Sequence, residues 1–599
     1  MLSANKILVL DFGSQYTHLL ARRVRELGVF SEIVLPSVSS GVLRECSGVI
    51  LSGGPASVYE KDAPEYNKEI FSGKVPVLGL CYGQQLMGYF FGSDISPGKS
   101  KEYGPATISI KKKSVLFEGL SKKQVVWMSH GDQVKSLPPD FECTASTVDC
   151  QNAAFENTAK NLFGLQFHPE VTHTKNGLKI LSNFVFGACG CEKNWLPKNF
   201  LQEKIDFIKK TAGGKKVFVL ASGGVDSTVA LAFFVRALGG ENVFALHVDH
   251  GFMRKNESVE VKKALDKLGL KELHVVDASG LFFDALSGVV GPEEKRKIIG
   301  KLFVDVANGE TDKLKWGDDW LLGQGTIYPD TIETQGSKHA SRIKTHHNQA
   351  DIIKELIKGG RVIEPLRDLY KDEVRELGKL LGLPKSLVWR QPFPGPGLAI
   401  RCLCSDGKAV DVLPIEQNAN EISRRFGFSA KILPIKAVGV QGDFRTYRFV
   451  CALFGKLDWK KLEAVSTRLT NELKEVNRVV FCLFPKKIES VELLKSHLSK
   501  ERVLMLQEAD AISMQAIAKH KLMQKIWQFP IVMLPVKIND IGEGIVLRPV
   551  QSREAMTAKF AVLPKNVLQE IVEKTKKLKG IGSVFFDVTH KPPATIEWE

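Results

Sequence analysis

The sequence predicts an α/β protein with two doubly wound parallel-sheet domains in succession, followed by an α+β C-terminal region with a duplicated module. Three observations predict it. Short apolar runs alternate with helix-period stretches over the first 190 residues, and the same alternation resumes after a break. A glycine-rich turn joins strand to helix at the head of the second series. In the last 200 residues a strand–helix–strand pattern occurs twice, about 100 residues apart.

In the first series the strand-like runs are Ile7–Leu10, Gly48–Leu51, Val75–Leu80 and Leu162–Gln166, with a helix over Tyr16–Leu27. Four buried apolar runs of this kind predict a largely parallel sheet in residues 1–192. Residues 193–205, with Asn194-Trp195-Leu196-Pro197, read as a linker. The second series, residues 206–395, has strands at Val217–Ala221, Val243–Val248, Leu273–Val276 and Trp320–Gly323. It ends where Pro392-Phe393-Pro394-Gly395-Pro396-Gly397 forbids regular structure. The repeat then aligns Leu433-Pro434-Ile435-Lys436 with Leu534-Pro535-Val536-Lys537, and Arg478–Phe481 with Ser583–Phe586. This sets modules at 396–508 and 509–599.

With 599 residues, 44% of them hydrophobic, the chain can bury several cores without staples. Its ten cysteines follow no disulfide spacing, and no apolar run is long enough to span a bilayer, so the expectation is a cytosolic protein with no membrane partner. The formal charge of +16 is unevenly placed: residues 1–192 hold 19 Lys/Arg against 18 Asp/Glu, so the excess lies in the remainder. A basic excess around a phosphate-type loop fits polyanionic small ligands. Nucleic acid is the other candidate, but the basic segments lack interleaved aromatics and no RNA-binding module is legible.

Two stretches carry chemistry. In Leu78-Gly79-Leu80-Cys81-Tyr82-Gly83-Gln84-Gln85 a cysteine stands between glycines directly after a strand, the pattern that exposes a nucleophile at a helix start. Gln166-Phe167-His168-Pro169-Glu170 supplies an imidazole with a carboxylate on the same face of an extended segment. Leu51-Ser52-Gly53-Gly54-Pro55 is a glycine turn able to offer backbone N–H groups to an oxyanion. These strings, with Asp11–Gln15 and Ser129–Asp132, resemble the class I glutamine amidotransferases over about residues 5–190. The resemblance implies that Cys81 attacks the glutamine side-chain amide, with His168 and Glu170 completing the triad. It also implies oxyanion contacts from the backbone of Gly54 and Tyr82, and a glutamine contact from Gln85.

The second stretch is Ser222-Gly223-Gly224-Val225-Asp226-Ser227. Glycine N–H groups and hydroxyls at a helix start suit phosphate, yet the lysine that ends a Walker loop is missing and an aspartate is present. That aspartate makes sense if Mg²⁺ bridges it to the phosphates, and the loop then suits departing pyrophosphate. The loop is similar to that of the N-type ATP pyrophosphatases, which activate an oxygen by adenylylation. By that likeness Ser222, Gly223, Gly224, Val225, Asp226 and Ser227 bind ATP, with Asp249 and Lys344 as further contacts.

Both signatures, Gln324–Asp330, the Pro392–Gly397 string and the terminal Lys591–Glu599 resemble the glutamine-hydrolysing GMP synthetase family across nearly the whole chain. The resemblance implies glutamine, ATP and XMP as substrates, and Arg296, Asp443, Gln528, Lys591 and Glu597 as XMP contacts. No tightly bound organic cofactor and no nucleic acid is implied. Another glutamine-dependent amidating ligase, or a basic RNA-modifying protein, remains the alternative. The segment from about Cys404 to Glu508 departs from the short, bacterial-style pattern and matches the longer, animal-type form. A duplicated module can bury within one chain the face that a single copy buries in a dimer, so a monomer is expected, a weak dimer at most.

Overall fold

A computed structural model describes residues 5–313, 319–335, 359–408, 410–441, 444–552 and 558–599. The chain forms two compact units, Met1–Glu203 and Lys204–Glu599.

The first unit contains β1 (Lys6–Leu10), α1 (Thr17–Glu26), β2 (Phe30–Val34), β3 (Gly48–Leu51), β4 (Val77–Leu80) and α2 (Tyr82–Phe90). Then come β5 (Ile95–Ile110), β6 (Lys123–Val134), β7 (Glu142–Ser146), β8 (Ala154–Asn157) and β9 (Leu162–Leu165). They make one sheet in the order β2-β1-β3-β4-β9-β8-β7-β5-β6. The strands from β2 to β9 are parallel, and β3, β4 and β9 are buried at every position. The other half, from β8 to β6, is antiparallel and extends that parallel core. Among those strands β6 alternates exposed and buried residues over its first half, a pattern without the continuous apolar run that flags a parallel strand.

A helix, α3 (Pro197–Ala212), begins inside the stretch expected as linker, its proline at the first helical position. In the second unit β10 (Lys216–Leu220), α4 (Val225–Leu238), β11 (Val243–Asp249), β12 (Glu272–Asp277), α5 (Pro292–Lys313), β13 (Trp320–Gly323) and β14 (Val362–Ile363) follow, then α6 (Lys371–Leu380). Their sheet is wholly parallel, in the order β12-β11-β10-β13-β14. The order reverses at β10, so the loop after β10 opens at the switch point, where α/β sheets bind ligands.

The C-terminal region folds as one seven-stranded sheet. Its elements are β15 (Phe428–Gln441), β16 (Phe444–Gly455), α7 (Trp459–Glu472), β17 (Val476–Phe484), β18 (Val491–Leu493), α8 (Lys500–Lys519), β19 (Ile531–Ile538) and β20 (Ile541–Leu547). A ribbon of β21 (Val550–Gln551) and β22 (Lys559–Phe560) precedes α9 (Lys565–Thr575) and β23 (Ile581–Asp587). The order β15-β16-β17-β23-β20-β19-β18 reads the same from the β17/β23 seam outwards. On each side lie a parallel pair and then an antiparallel hairpin. The seam is a pseudo-two-fold axis, and the duplicated module is visible as two halves of one sheet. Both copies carry a register shift at the same place, between Leu433 and Lys436 and between Leu534 and Lys537. Pro434 and Pro535 fall in these shifts, where a missing N–H breaks no ladder. At the seam the buried Asp587 receives Arg478 at 2.7 Å and Arg548 at 2.8 Å, one guanidinium from each copy.

Candidate active sites

In the first unit, β4 ends at Leu80 and Cys81 turns the chain into α2 with φ 50° and ψ −104°. A non-glycine residue at positive φ stores strain, tolerated here because the turn is tightly enclosed. A Cβ on Gly79 would meet the Gly83 carbonyl oxygen at 2.5 Å, and one on Gly83 would meet Leu51 Cβ at 2.5 Å. The glycines flanking the cysteine are therefore packing requirements. His168 Nδ1 lies 2.7 Å from Glu170 Oε1, both side chains buried. Burial works against charge on His168, but the Glu170 carboxylate and a hydrogen bond with Cys81 outweigh it and raise the imidazole pKa to about 10. A proton leaving the thiol has a strong base to go to. The Gly53 turn lies against this pair: a Cβ on Gly53 would sit 3.2 Å from His168 Cε1 and 3.8 Å from Cys81 Cβ. One on Gly54 would meet the Phe12 carbonyl oxygen at 2.7 Å and Tyr82 Cγ at 3.4 Å, so Gly54 and Tyr82 are neighbours. Gln85 turns its amide nitrogen to Asp132 O at 2.8 Å and thereby holds the Ser129–Asp132 segment. Ser129 O in turn lies 3.5 Å from Cys81 Sγ.

This arrangement makes a pH prediction. If His168 must carry a proton to release ammonia, glutamine-dependent activity persists into alkaline solution and falls as pH approaches about 10. Glu170→Gln removes the charge that raises the imidazole. Its alkaline limb is expected to move down toward ordinary histidine behaviour, which glutamate release measured against pH will show.

In the second unit the loop after β10 places Gly223 at φ +74°. A Cβ there would also meet Val261 Cγ2 at 2.8 Å. Ser222 Oγ and Ser227 Oγ lie 3.0 Å apart across the loop mouth, and Thr228 Oγ1 donates to Gly224 O at 2.8 Å. The loop borders a cavity of about 460 Å³ lined by Ser222, Gly224, Asp226, His250, Gln324 and Lys371. Lys371 Nζ reaches Asp226 Oδ2 at 3.2 Å, while the buried Oδ1 has no hydrogen-bond partner. Arg390 Nη1 donates to Gly223 O at 2.7 Å, and Arg390 pairs with Glu257. Burial, with the charge of Arg254, lowers the Arg390 pKa to about 10. Lys371 and Arg390 went unread in the sequence, and Lys371 places a lysine beside this loop from 145 residues away. Asp249 is placed differently. It accepts from Gly251 N at 2.9 Å and Ser258 Oγ at 2.8 Å, and lines a separate cavity of about 300 Å³. Lys344 lies outside the described residues.

The C-terminal tail runs along β15, with Val440 N bonded to Pro593 O at 2.7 Å and Val438 N to Trp598 O at 2.9 Å. Trp598 is buried and donates to Asp587, anchoring the tail at the seam. Beside it, Glu597 accepts from Arg401 Nε at 2.9 Å, Arg401 Nη2 at 2.6 Å and Gln528 Nε2 at 2.9 Å. Burial alone would raise the Glu597 carboxyl, but the Arg401 guanidinium holds it below the ordinary value, as an ionised acceptor. Arg296 Nη2 donates to Glu599 O at 2.7 Å, and the neighbouring Lys295, wholly buried, pairs with the Glu599 side chain at 2.8 Å. Arg296, Gln528 and Glu597 thus come together, with Arg401 as an unforeseen partner. Lys591 is bound through its backbone to Ala558. Asp443 lies outside the described residues.

A cysteine on a strained turn near a buried His–Glu pair in one unit, and a glycine–serine loop at a sheet switch point in the other, suit a glutamine-dependent amidotransferase joined to an ATP-using domain. Comparison with known families gives the same class. The family model for class-I glutamine amidotransferase matches residues 8–188, that for NAD synthase residues 198–285, and that for the GMP synthase C terminal domain residues 415–493 and 515–598. A "Probable GMP synthase [glutamine-hydrolyzing]" of Leptospira interrogans (serogroup Icterohaemorrhagiae, serovar copenhageni) is 44% identical over 611 residues, covering 100% of both chains. The GMP synthase of Dictyostelium discoideum is 38% identical over 99% of this chain and 94% of its own. That of Aquifex aeolicus is 44% identical over 81% of this chain and 99% of its own. The chain belongs to the glutamine-hydrolysing GMP synthase family, carbon–nitrogen ligases. No helix among the described residues is long and apolar enough to cross a membrane.

Proposed function

We propose that this chain aminates XMP to GMP with ammonia from glutamine, releasing AMP, pyrophosphate and glutamate. The observation that carries the reading is a base-paired thiol on a strained turn in the same chain as a phosphate loop without its own lysine. Cys81 Sγ attacks the glutamine amide carbon, its proton passing to His168. Backbone N–H groups of Gly54 and Tyr82 hold the oxyanion. His168 returns the proton to the departing ammonia, and water hydrolyses the thioester to glutamate. At the other centre the C2 oxygen of XMP attacks the α-phosphorus of ATP. The bond to the β-phosphate bridge breaks, and pyrophosphate leaves into the hydroxyls and N–H groups of Ser222–Ser227. Ammonia then adds at C2 and AMP departs.

Glu597, held ionised by Arg401, accepts from purine N–H groups, and Gln528, bonded to it, is a further XMP contact. Arg296, Lys591 and Asp443 complete the XMP contacts. Asp249 and Lys344 stay as ATP contacts, with Lys371 added. Asp226 fits a Mg²⁺ ion, since its Oδ1 is buried and without a hydrogen-bond partner. When bound, the ion would neutralise charge on the phosphates.

Incubation with glutamine, ATP and XMP should give GMP and AMP in equal amounts. ADP in place of AMP would exclude adenylylation, and amination of another acceptor would redirect the reading to a different amidating ligase. Steeply salt-dependent RNA binding would favour the RNA-modifying alternative. The domain limits 1–192, 206–395, 396–508 and 509–599 and a cytosolic setting are part of this proposal. The latter is supported by ten cysteines, none of them in a disulfide. Because both copies of the module already meet at the β17/β23 seam, the active enzyme should sediment as a 66.4 kDa monomer. An obligate dimer joined through residues 530–590 would contradict this.

A further inference from the structure

Glu102, His130 and Cys150 bring one ligand atom each within 4.8 Å of one another inside the first unit. Glu102 on β5 and His130 on β6 are cross-strand partners, and Cys150 lies fully buried beyond β7. The proton on the imidazole can be placed. His130 Nδ1 is 3.0 Å from Asp132 O, a carbonyl that can only accept, so Nδ1 carries hydrogen and Nε2 presents its lone pair. That lone pair faces Glu102 Oε2 at 3.1 Å. The other carboxylate oxygen, Oε1, accepts from the Thr147 hydroxyl at 3.0 Å, whose oxygen in turn accepts from Asp149 N at 3.1 Å and Cys150 N at 2.8 Å. Lone pair therefore faces lone pair in a buried place, and only a second proton or a metal cation between them makes the contact attractive.

Cys150 decides between these. A proton shared by imidazole and carboxylate gains nothing from a third, sulfur ligand, whereas zinc favours a mixed set of nitrogen, oxygen and sulfur. The Nδ1–H bond to a backbone carbonyl is also the supporting bond that metal-ligating histidines ordinarily make. With metal–ligand distances of about 2.0–2.1 Å for nitrogen and oxygen, a tetrahedral edge is about 3.3 Å, close to the 3.1 Å between His130 Nε2 and Glu102 Oε2. We propose that Glu102, His130 and Cys150 form a zinc site, water taking the fourth position. Binding displaces the Cys150 thiol proton to solvent. The ion would grip the Ser129–Asp132 segment, whose carbonyls touch Cys81 Sγ and hold Gln85. Zinc is thus expected to tune the glutamine half-reaction, a consequence that rests on the glutaminase reading although the site itself does not.

Cys81, His168 and Glu170 are themselves a thiol, an imidazole and a carboxylate, so the test uses full-length Cys81→Ala protein. Calorimetric titration with zinc chloride should show one equivalent bound. Adding Cys150→Ser or, separately, His130→Gln should weaken it at least tenfold, with melting curves to confirm that each variant is folded. Cobalt in place of zinc should give a thiolate-to-metal charge-transfer band that Cys150→Ser removes. No stoichiometric uptake by Cys81→Ala protein, or uptake that Cys150→Ser leaves unchanged, overturns the proposal and returns the pair to an imidazolium–carboxylate contact.

Discussion

Cys81→Ala is expected to abolish GMP formation from glutamine, by a factor on the order of 10⁴ or more, and to leave formation from added ammonium salt near wild type. The magnitude follows from removing the nucleophile of a covalent mechanism, where no neighbouring group can replace it. Ammonium is spared because the thiol lies at the head of α2 in the first unit, whereas the phosphate loop heads α4 in the second. The substitution is structurally mild. Alanine keeps the Cβ that already fits the turn at φ 50°, and the strain there belongs to the backbone. Initial rates with glutamine and with ammonium chloride, measured on the same preparation, separate the two routes. Equal loss of both would mean that the thiol is not a separate ammonia source.

How far the sequence could be read depends on how local each feature is. Cys81 between glycines, and His168 two residues from Glu170, are compact strings whose geometry is fixed by one turn and one extended segment, and both appear in space as the strings suggest. The repeated Leu-Pro of β15 and β19 is legible for the same reason, because a proline inside a strand needs a bulge wherever it occurs. Lys371, Arg390 and Arg401 had no such signal. Each acts on a residue far away in sequence: Asp226, Gly223 and Glu597. One sequence shows no long-range pairing. Asp249 shows the converse. It stands at the carboxyl end of β11, as α/β sites require, but its oxygens are taken by Gly251 and Ser258 and its side chain borders the second cavity. Position along a strand was readable, but which cavity the side chain lines was not. The antiparallel half of the first sheet gave no strand signal at β6, whose alternation of exposed and buried residues lacks a continuous apolar run.

Asp226→Ala should abolish GMP formation from glutamine and from ammonium alike, with AMP release falling by roughly 10²- to 10³-fold, the size expected for loss of one preorganised charged contact. Two alternative accounts of such a loss can be weighed beforehand. The first is unfolding. The Asp226–Lys371 pair has side chains 26% and 41% exposed, and exposed pairs of this kind are worth at most about 1 kcal/mol, so the variant should melt close to wild type. The second is that Asp226 only restrains Lys371. In that case Lys371→Met would reproduce the effect, whereas a metal-binding carboxylate makes Asp226→Ala the more damaging of the two. Raising Mg²⁺ concentration then separates them further, since it should recover part of the Asp226→Ala rate and none of the Lys371→Met loss. The hydroxyls of Ser222 and Ser227, 3.0 Å apart, remain in place in both variants, so phosphate binding is weakened without being removed. Glutaminase turnover at Cys81 gives an internal check on folding in the same samples. Full ammonium-dependent activity in Asp226→Ala would remove Asp226 from the phosphate site.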